Sequence, residues 1–346
     1  MTPEIQSLRS SSAAAQILSL SMKLTLTLLL SLSASLPISA GVTVTRTNYH
    51  GWPESILLAN SKAEVLIVPL INRVMQFRFI GEEGVFWENP ALFGQIADMR
   101  LTTWASRDWV NFGGDKSWPS PEGDWNLYTG RKGWRPPPAF DGASASVKME
   151  GNTVVLSTEP DPFYGIRMQR KIQLHSSRPE LSITTTFERV RGEPSSVGIW
   201  VITQLKHPEQ LFAHIARRPV FTNGCVRLSQ APPPSLRLKD GLIQLERDLK
   251  TPHKIGLDAD RLLWVGAQHT LLIECPRKQG KPYPDGGSNT EIYTSPDPLS
   301  YIELETLGPV EELKVGQRLK HINLYTLGRR KSSVADLQQE AQSLLR

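Results

Sequence analysis

The sequence predicts an all-β protein, one large antiparallel β-sandwich with one short C-terminal helix. Two observations carry this. From residue 41 onward the chain breaks into short runs rich in Val, Ile, Thr, Phe and Tyr, bounded by Gly, Pro, Asn and Asp, which is how strands joined by turns read. Helical spacing of apolar residues is convincing only in "SVADLQQEAQSLLR" (333–346). About fifteen strands and one helix suit a sandwich, a class whose single domains often exceed roughly 200 residues.

Residues 1–40 form an N-terminal extension. Met22-Lys23 precedes "LTLTLLLSLSASLPISA", one positive charge, an apolar run, a proline and a small-residue end. This reads as a secretory signal peptide cut before Gly41, with Met22 as the expected translation start and a secreted or periplasmic destination. The alternative is an uncleaved anchor. No cysteine stands at the cut, so a lipid anchor is not expected, and the chain shows no other membrane-directed feature.

Residues 41–330 carry the strands. "VTVTRTNY", "AEVLIVPL", "NRVMQFRFIG" and "GVFWENP" come first, the last two around a Gly-Glu-Glu-Gly turn. "SASVKMEGNTVVLSTE" folds back at Glu-Gly-Asn, and "IRMQRKIQLH", "ELSITTTFERV" and "SVGIWVITQL" follow. "DGLIQLE", "RLLWVGAQHTLLIEC", "TEIYTS", "LSYIELETLG" and "QRLKHINLYTL" complete the set. Two proline stretches, "WRPPPAFDG" (134–142) and "PPPSLRLKDG" (232–241), predict stiff connections. Residues 331–346 form the helix, with Ser332 or Ser333 as N-cap.

The formal charge of +5 is spread without a long basic run, which argues against nucleic acid as a partner. Cys225 and Cys275 either pair or stay as buried thiols. No Cys/His spacing for zinc, no phosphate loop, no dinucleotide fingerprint and no nucleophile elbow occurs, so no metal or cofactor is expected. The seven histidines fall in no metal or triad spacing.

The least strand-like region, 95–145, contains "NFGGDKSWPSPEGDW" (111–125). Its glycines, prolines and charges predict a loop, while its tryptophans argue against disorder. Five of the nine tryptophans fall between Trp104 and Trp134. An indole offers a flat apolar face with one N–H donor, which suits a sugar ring with a polar rim. Trp118 and Trp125 supply faces here. Asp115, Lys116, Glu122 and Asp124 supply hydrogen bonds, Asn111 leads into the loop, and Gly113-Gly114 permits close backbone approach. The alternative is that the tryptophans plug one end of the sandwich.

"YIELETLGPVEELKVGQRLKHINLYTLG" and "AEVLIVPLINRVMQFRFIGEEGVFWEN" resemble the closing and opening strands of the galactose-mutarotase-like (aldose 1-epimerase-like) superfamily. "FGGDKSW" lies where those proteins carry a Gly-Gly loop at the sugar site. The whole pattern, Val42 to Leu327, is similar to a family of uncharacterised secreted bacterial proteins grouped there. The resemblance implies a β-supersandwich with a sugar-sized cleft on one sheet. It makes Glu305, in Leu304-Glu305-Thr306, the counterpart of the general base, and Arg73 in "INRV" the counterpart of an arginine directed at substrate, the alternative being a surface strand residue. Where the superfamily carries its two acid histidines, this chain has Phe112 and the stretch "GIWVITQL", which contains Trp200 and Gln204. Asp115 or Glu122 opposite Glu305 would make a carboxylate pair of the kind glycoside hydrolysis uses. Glu303 alternates by two with Glu305 and shares its strand face.

The expected function is therefore a secreted carbohydrate-binding protein that holds a saccharide or polyol-like ligand between the Trp/Asp/Lys-rich loop and Glu305. The alternatives are a sugar-processing enzyme, epimerase or glycan-cleaving, with Glu305 as base, and a structural envelope protein without a ligand.

Overall fold

The structure, a computed structural model, describes residues 41–97, 109–130, 134–216, 219–229, 231–330 and 336–345. Two antiparallel sheets face each other. The first runs, in spatial order, β1 (Thr43–Tyr49), β2 (Trp52–Ala59), β3 (Ala63–Val68), β4 (Arg73–Phe79), β5 (Asp115–Ser120), β10 (Ser195–Lys206), β19 (Tyr301–Leu307), β18 (Thr290–Thr294), β15 (His253–Leu257) and β12 (Cys225–Arg227), with β20 (Glu311–Leu313) beside β10. The second runs β13 (Arg237–Lys239), β14 (Leu242–Leu245), β11 (Gln210–Ile215), β16 (Ala259–Val265), β17 (His269–Glu274), β21 (Arg318–Arg329), β9 (Glu180–Arg189), β8 (Ile166–Leu174), β7 (Thr153–Ser157) and β6 (Ser146–Glu150).

The aliphatic core, with Ile56, Val65, Phe77, Ile172, Ile183, Leu262 and Leu304 among its members, is a single cluster fed by strands of both sheets. The sheets differ in burial. On β8 and β9 buried residues alternate with exposed or half-buried ones along the whole strand, as expected when one face meets water. On β5, β10 and β19 almost every position is buried, including Lys116, Gln204 and Glu305. The centre of the first sheet, at β5, β10 and β19, is thus covered on both faces, and charged side chains are enclosed on its outer one.

The largest departure from expectation is "DKSWPS", predicted as loop and found as β5, a buried central strand. Three features allow it. Its two charges are paired, Asp115 with Arg170 and Lys116 with Glu303. Beyond Asp115, which pairs with Val74, the side of β5 away from β10 has no strand partner among the described residues, so Pro119 breaks no ladder with them there. Gly113 and Gly114, both at positive φ, bring the chain in so close that a Cβ on Gly113 would lie 2.3 Å from the Trp87 carbonyl oxygen.

The prolines of 134–142 lead into a short helix, Pro138–Asp141, rather than a simple spacer. Cys225 and Cys275 are free thiols. The C-terminal helix, Leu337–Leu345, seats Ala341 and Leu345 on Phe212, Leu263 and Val265; Ser332 and Ser333 lie outside the described residues. None of the described helices is long and apolar enough to cross a membrane.

Candidate functional site

Strand alternation puts Asp115 and Lys116 on opposite faces of β5. Asp115 points between the sheets. There it is fully buried and is held by Arg170, by the Thr203 hydroxyl at 2.7 Å and by the Tyr325 hydroxyl at 2.7 Å. It ties the two sheets together and takes no part in the outer-face cluster, contrary to its expected role as a carboxylate beside Glu305.

Lys116 points outward, and register assembles its neighbours. Lys116, Ile202, Glu305 and Glu291 lie in one row across β5, β10, β19 and β18. Gln204, Glu303, Tyr293 and Lys254 form the adjacent row, and Trp118 and Trp200 the row on the other side. Side chains in neighbouring rows on one face are within reach of each other. Lys116 and Glu305 are two strand spacings apart, about 10 Å.

The cluster has two halves. In the first, Lys116 Nζ lies 4.3 Å from the Trp118 ring centroid, 4.8 Å from that of Trp109 and 3.8 Å from Glu303 Oε1. Gln204 Nε2 donates to the same Glu303 oxygen at 2.7 Å. Burial pulls the Lys116 amine down to about 8, with Glu303 opposing and Arg73 assisting. Burial pushes the Glu303 carboxyl up to about 7, with Lys116 opposing. In the second half, Lys254 Nζ lies 2.7 Å from Glu291 Oε2 and 3.1 Å from Glu305 Oε2, over the Trp200 ring at 4.3 Å. Trp200 Nε1 donates to Glu305 Oε2 at 2.6 Å. Burial opposes the charge of Lys254, but Glu291 and Glu305 overcome it and hold the ammonium well above the ordinary lysine range. Burial keeps Glu291 well above the carboxylate range, and Glu122 and Asp285, both half-buried nearby, are raised for the same reason.

A brace supports the aromatic wall. Asp141, delivered by the proline-led helix, accepts Trp109 Nε1 and Trp118 Nε1, each at 2.8 Å, and Arg73 at 2.9 Å. Arg73 is 1 % exposed and its other amino group donates to the Gly113 carbonyl, so it is not a surface strand residue; its Nε has no hydrogen bond among the described residues. Trp125 wedges against Trp118 and Trp200 and donates to the Pro119 carbonyl at 2.8 Å. The tryptophans therefore plug the sheet face and wall the charged cluster at once. Asn111 is buried; its carbonyl accepts from Asn89, and its amide has no hydrogen bond among the described residues.

Five buried polar atoms of the cluster are without hydrogen bonds among the described residues: Lys116 Nζ, Gln204 Oε1, Glu305 Oε1 and both oxygens of Glu291, whose Oε2 is ion-paired with Lys254. Such atoms ordinarily find a partner, in the protein or in what it binds. Solvent approaches at Lys254, whose side chain is 22 % exposed, and at Glu303, 12 %. Two surface cavities of about 470 and 480 Å3 lie elsewhere, one on the second sheet beside Gln173 and Ser182, one between β12 and β13; neither includes a residue of the cluster.

Of the residues singled out in the sequence, Lys116, Trp118, Trp200, Gln204 and Glu305 converge, with Glu122 at the edge and Trp125 behind. Lys254, Glu291, Trp109 and Asp141 were not singled out. Glu291 did carry a signal, an acid inside the strand-like run "TEIYTS". His207 and His321 stand apart: His207 accepts from Arg247, and His321 lies between Cys275 and Thr306 in the interior.

Comparison with known proteins agrees on the fold. A family model described as a domain of unknown function (DUF4380) matches residues 54–320. A galactose mutarotase-like protein from Lactobacillus casei superposes with a TM-score of 0.54 at 10 % identity, over 79 % of this chain and 100 % of that one. A putative aldose 1-epimerase from Escherichia coli K12 superposes with 0.55 at 10 % identity, over 84 % and 100 %. A galactose mutarotase-like protein from Clostridium acetobutylicum superposes with 0.51 at 9 % identity, over 84 % and 99 %. A search of curated proteins gave no match. The fold is galactose-mutarotase-like.

Proposed function

The chain belongs to the family described as a domain of unknown function (DUF4380), and we propose that it is an exported saccharide-binding protein whose ligand sits against the outer face of β5, β10 and β19. One observation carries the reading: a donor, Lys116 Nζ, and two acceptors, Gln204 Oε1 and Glu305 Oε1, are buried without hydrogen bonds among the described residues, beside indole faces. A hydroxylated ring offers both donors and acceptors with apolar faces, so it satisfies all three atoms without introducing net charge. Glu305 is well prepared for this. Lys254 and Trp200 engage Oε2 only, which fixes the carboxylate and leaves Oε1 for a ligand hydroxyl. The mutarotase-like fold of the structural neighbours, named for sugar chemistry, is consistent with it.

The test is a fluorescence titration with mono- and oligosaccharides, including methyl glycosides. Binding beside Trp118 and Trp200 shifts the tryptophan emission, and Glu305→Gln weakens the response about tenfold or more, the scale of a hydrogen bond to a charged group. An emission spectrum and a melting temperature that no sugar moves would end the reading. Export is tested separately by sequencing the mature N-terminus from cells, which should begin at Gly41; recovery of residues 24–40 in the exported protein opposes the cut.

A second reading, catalysis, is favoured by Glu303. A carboxyl held at about 7 beside Glu305 exchanges a proton near neutral pH. It would stand in for the acid that the superfamily draws from histidine. Anomer interconversion or loss of reducing ends, abolished by Glu303→Gln with binding retained, is the outcome that supports it.

A further inference from the structure

The two lysines of the cluster are in opposite states. Lys254 is clamped between two carboxylates at 2.7 and 3.1 Å and stays an ammonium ion. Lys116 is 1 % exposed, makes no hydrogen bond among the described residues, and rests on the faces of Trp109 and Trp118. Its nearest carboxylate is Glu303 at 3.8 Å, oriented by Gln204. A lysine becomes a nucleophile when it is desolvated in an apolar pocket or set near another cation. Both conditions hold here: indoles enclose it, and Arg73, from the neighbouring β4, adds a repelling charge. Glu303, Asp141 and Glu305 act the other way on the same amine.

We propose that Lys116 is a carbonyl-reactive lysine, forming an imine with the open-chain aldehyde of a reducing sugar held against the outer face of β5, β10 and β19, with Glu303 relaying the protons. The proposal rests on the saccharide reading of this site. Nζ adds its lone pair to the carbonyl carbon as the C=O π pair moves to oxygen. One N–H proton passes through Glu303 to that oxygen, giving a carbinolamine. The C–O bond then breaks as Glu303 gives a proton to the departing hydroxyl, which leaves as water, and the second N–H proton passes to Glu303 and restores it; amine and aldehyde become imine and water with no change of oxidation state. Gln204 keeps the Glu303 carboxyl turned toward Nζ.

The experiment is reductive trapping. The whole protein is incubated with glycolaldehyde, or with a reducing aldose, and cyanoborohydride, and modified lysines are mapped by peptide mass. Lys116 is expected to label at least roughly tenfold faster than the exposed Lys62, Lys148 and Lys314, because its amine frees its lone pair at a lower pH. Its rate should level off above about pH 8, whereas exposed lysines continue to rise. Lys116→Arg should lose the label, and Glu303→Gln should slow it. Label on exposed lysines but not on Lys116 in the wild-type protein overturns the proposal, whatever the variants do. Methyl glycosides, which cannot open to an aldehyde, separate the two readings. Their binding without a label at Lys116 removes the imine and leaves the saccharide site, whereas neither binding nor label removes both.

Discussion

Replacing Lys254 with methionine isolates the electrostatics of the cluster. The substitution keeps an unbranched side chain one atom shorter and deletes the charge. Lys254 Nζ lies 2.7 Å from Glu291 and 3.1 Å from Glu305, and both carboxylates are fully buried. At an effective dielectric constant of about 20, the two attractions are worth roughly 6 and 5 kcal/mol. Most of this offsets the desolvation of the three ions. What remains measurable is the cost of leaving buried charges without a partner, about 3–5 kcal/mol. The cost should depend on pH. Burial already raises the folded-state pKa of Glu291 well above its ordinary value, and Lys254 opposes that rise. A raised carboxyl contributes stability that is fully present below its unfolded value near 4.5 and is lost as pH climbs toward the folded one. Removing Lys254 lifts the folded value further, so the penalty should be smallest near pH 5 and grow as pH passes the wild-type folded value of Glu291. Urea unfolding of wild type and Lys254→Met at pH 5 and pH 8 measures it. A difference under about 1 kcal/mol at pH 8, or an equal difference at both, refutes the argument that Lys254 neutralises these carboxylates.

Three further outcomes follow from the same geometry. Asp115→Asn should destabilise the fold by about 3–5 kcal/mol, because Arg170 is left buried without its counter-ion, yet leave saccharide affinity unchanged in the folded fraction; chemical denaturation and fluorescence titration read the two effects separately. Trp118→Ala should cost about 3–5 kcal/mol in stability, since it empties the centre of the indole cluster and removes one of the three donors to Asp141, and should weaken sugar binding by about 1–3 kcal/mol; loss of stability with unchanged affinity would leave the plug as the only role of this tryptophan. Gly113→Ala should lower the melting temperature by several degrees, because its Cβ would meet the Trp87 carbonyl at 2.3 Å in a positive-φ conformation; calorimetry showing no change would mean the Gly-Gly turn relaxes freely.

Strands β8 and β9 of the second sheet were legible because one of their faces meets solvent. "IRMQRKIQLH" and "ELSITTTFERV" alternate as the pleat does. The strands of the first sheet that carry the site were harder. "DKSWPS" has charges, a serine pair and a proline, and by composition alone it is a loop. It is a strand because partners far away in the chain, Arg170 on β8 and Glu303 on β19, neutralise its charges.

Chain pattern alone determined the all-β architecture, the terminal helix and the pairing of Glu303 with Glu305 on one face, since each follows from local periodicity. It also marked the tryptophan-rich stretch as unusual. Only tertiary structure decided that Asp115 turns inward while Lys116 turns outward, that Asp141 braces the indoles, and that Lys254 joins Glu291 and Glu305. The reason is physical: a buried charge is stable only beside its partner, and sheet register brings those partners together across gaps in sequence that no local pattern spans.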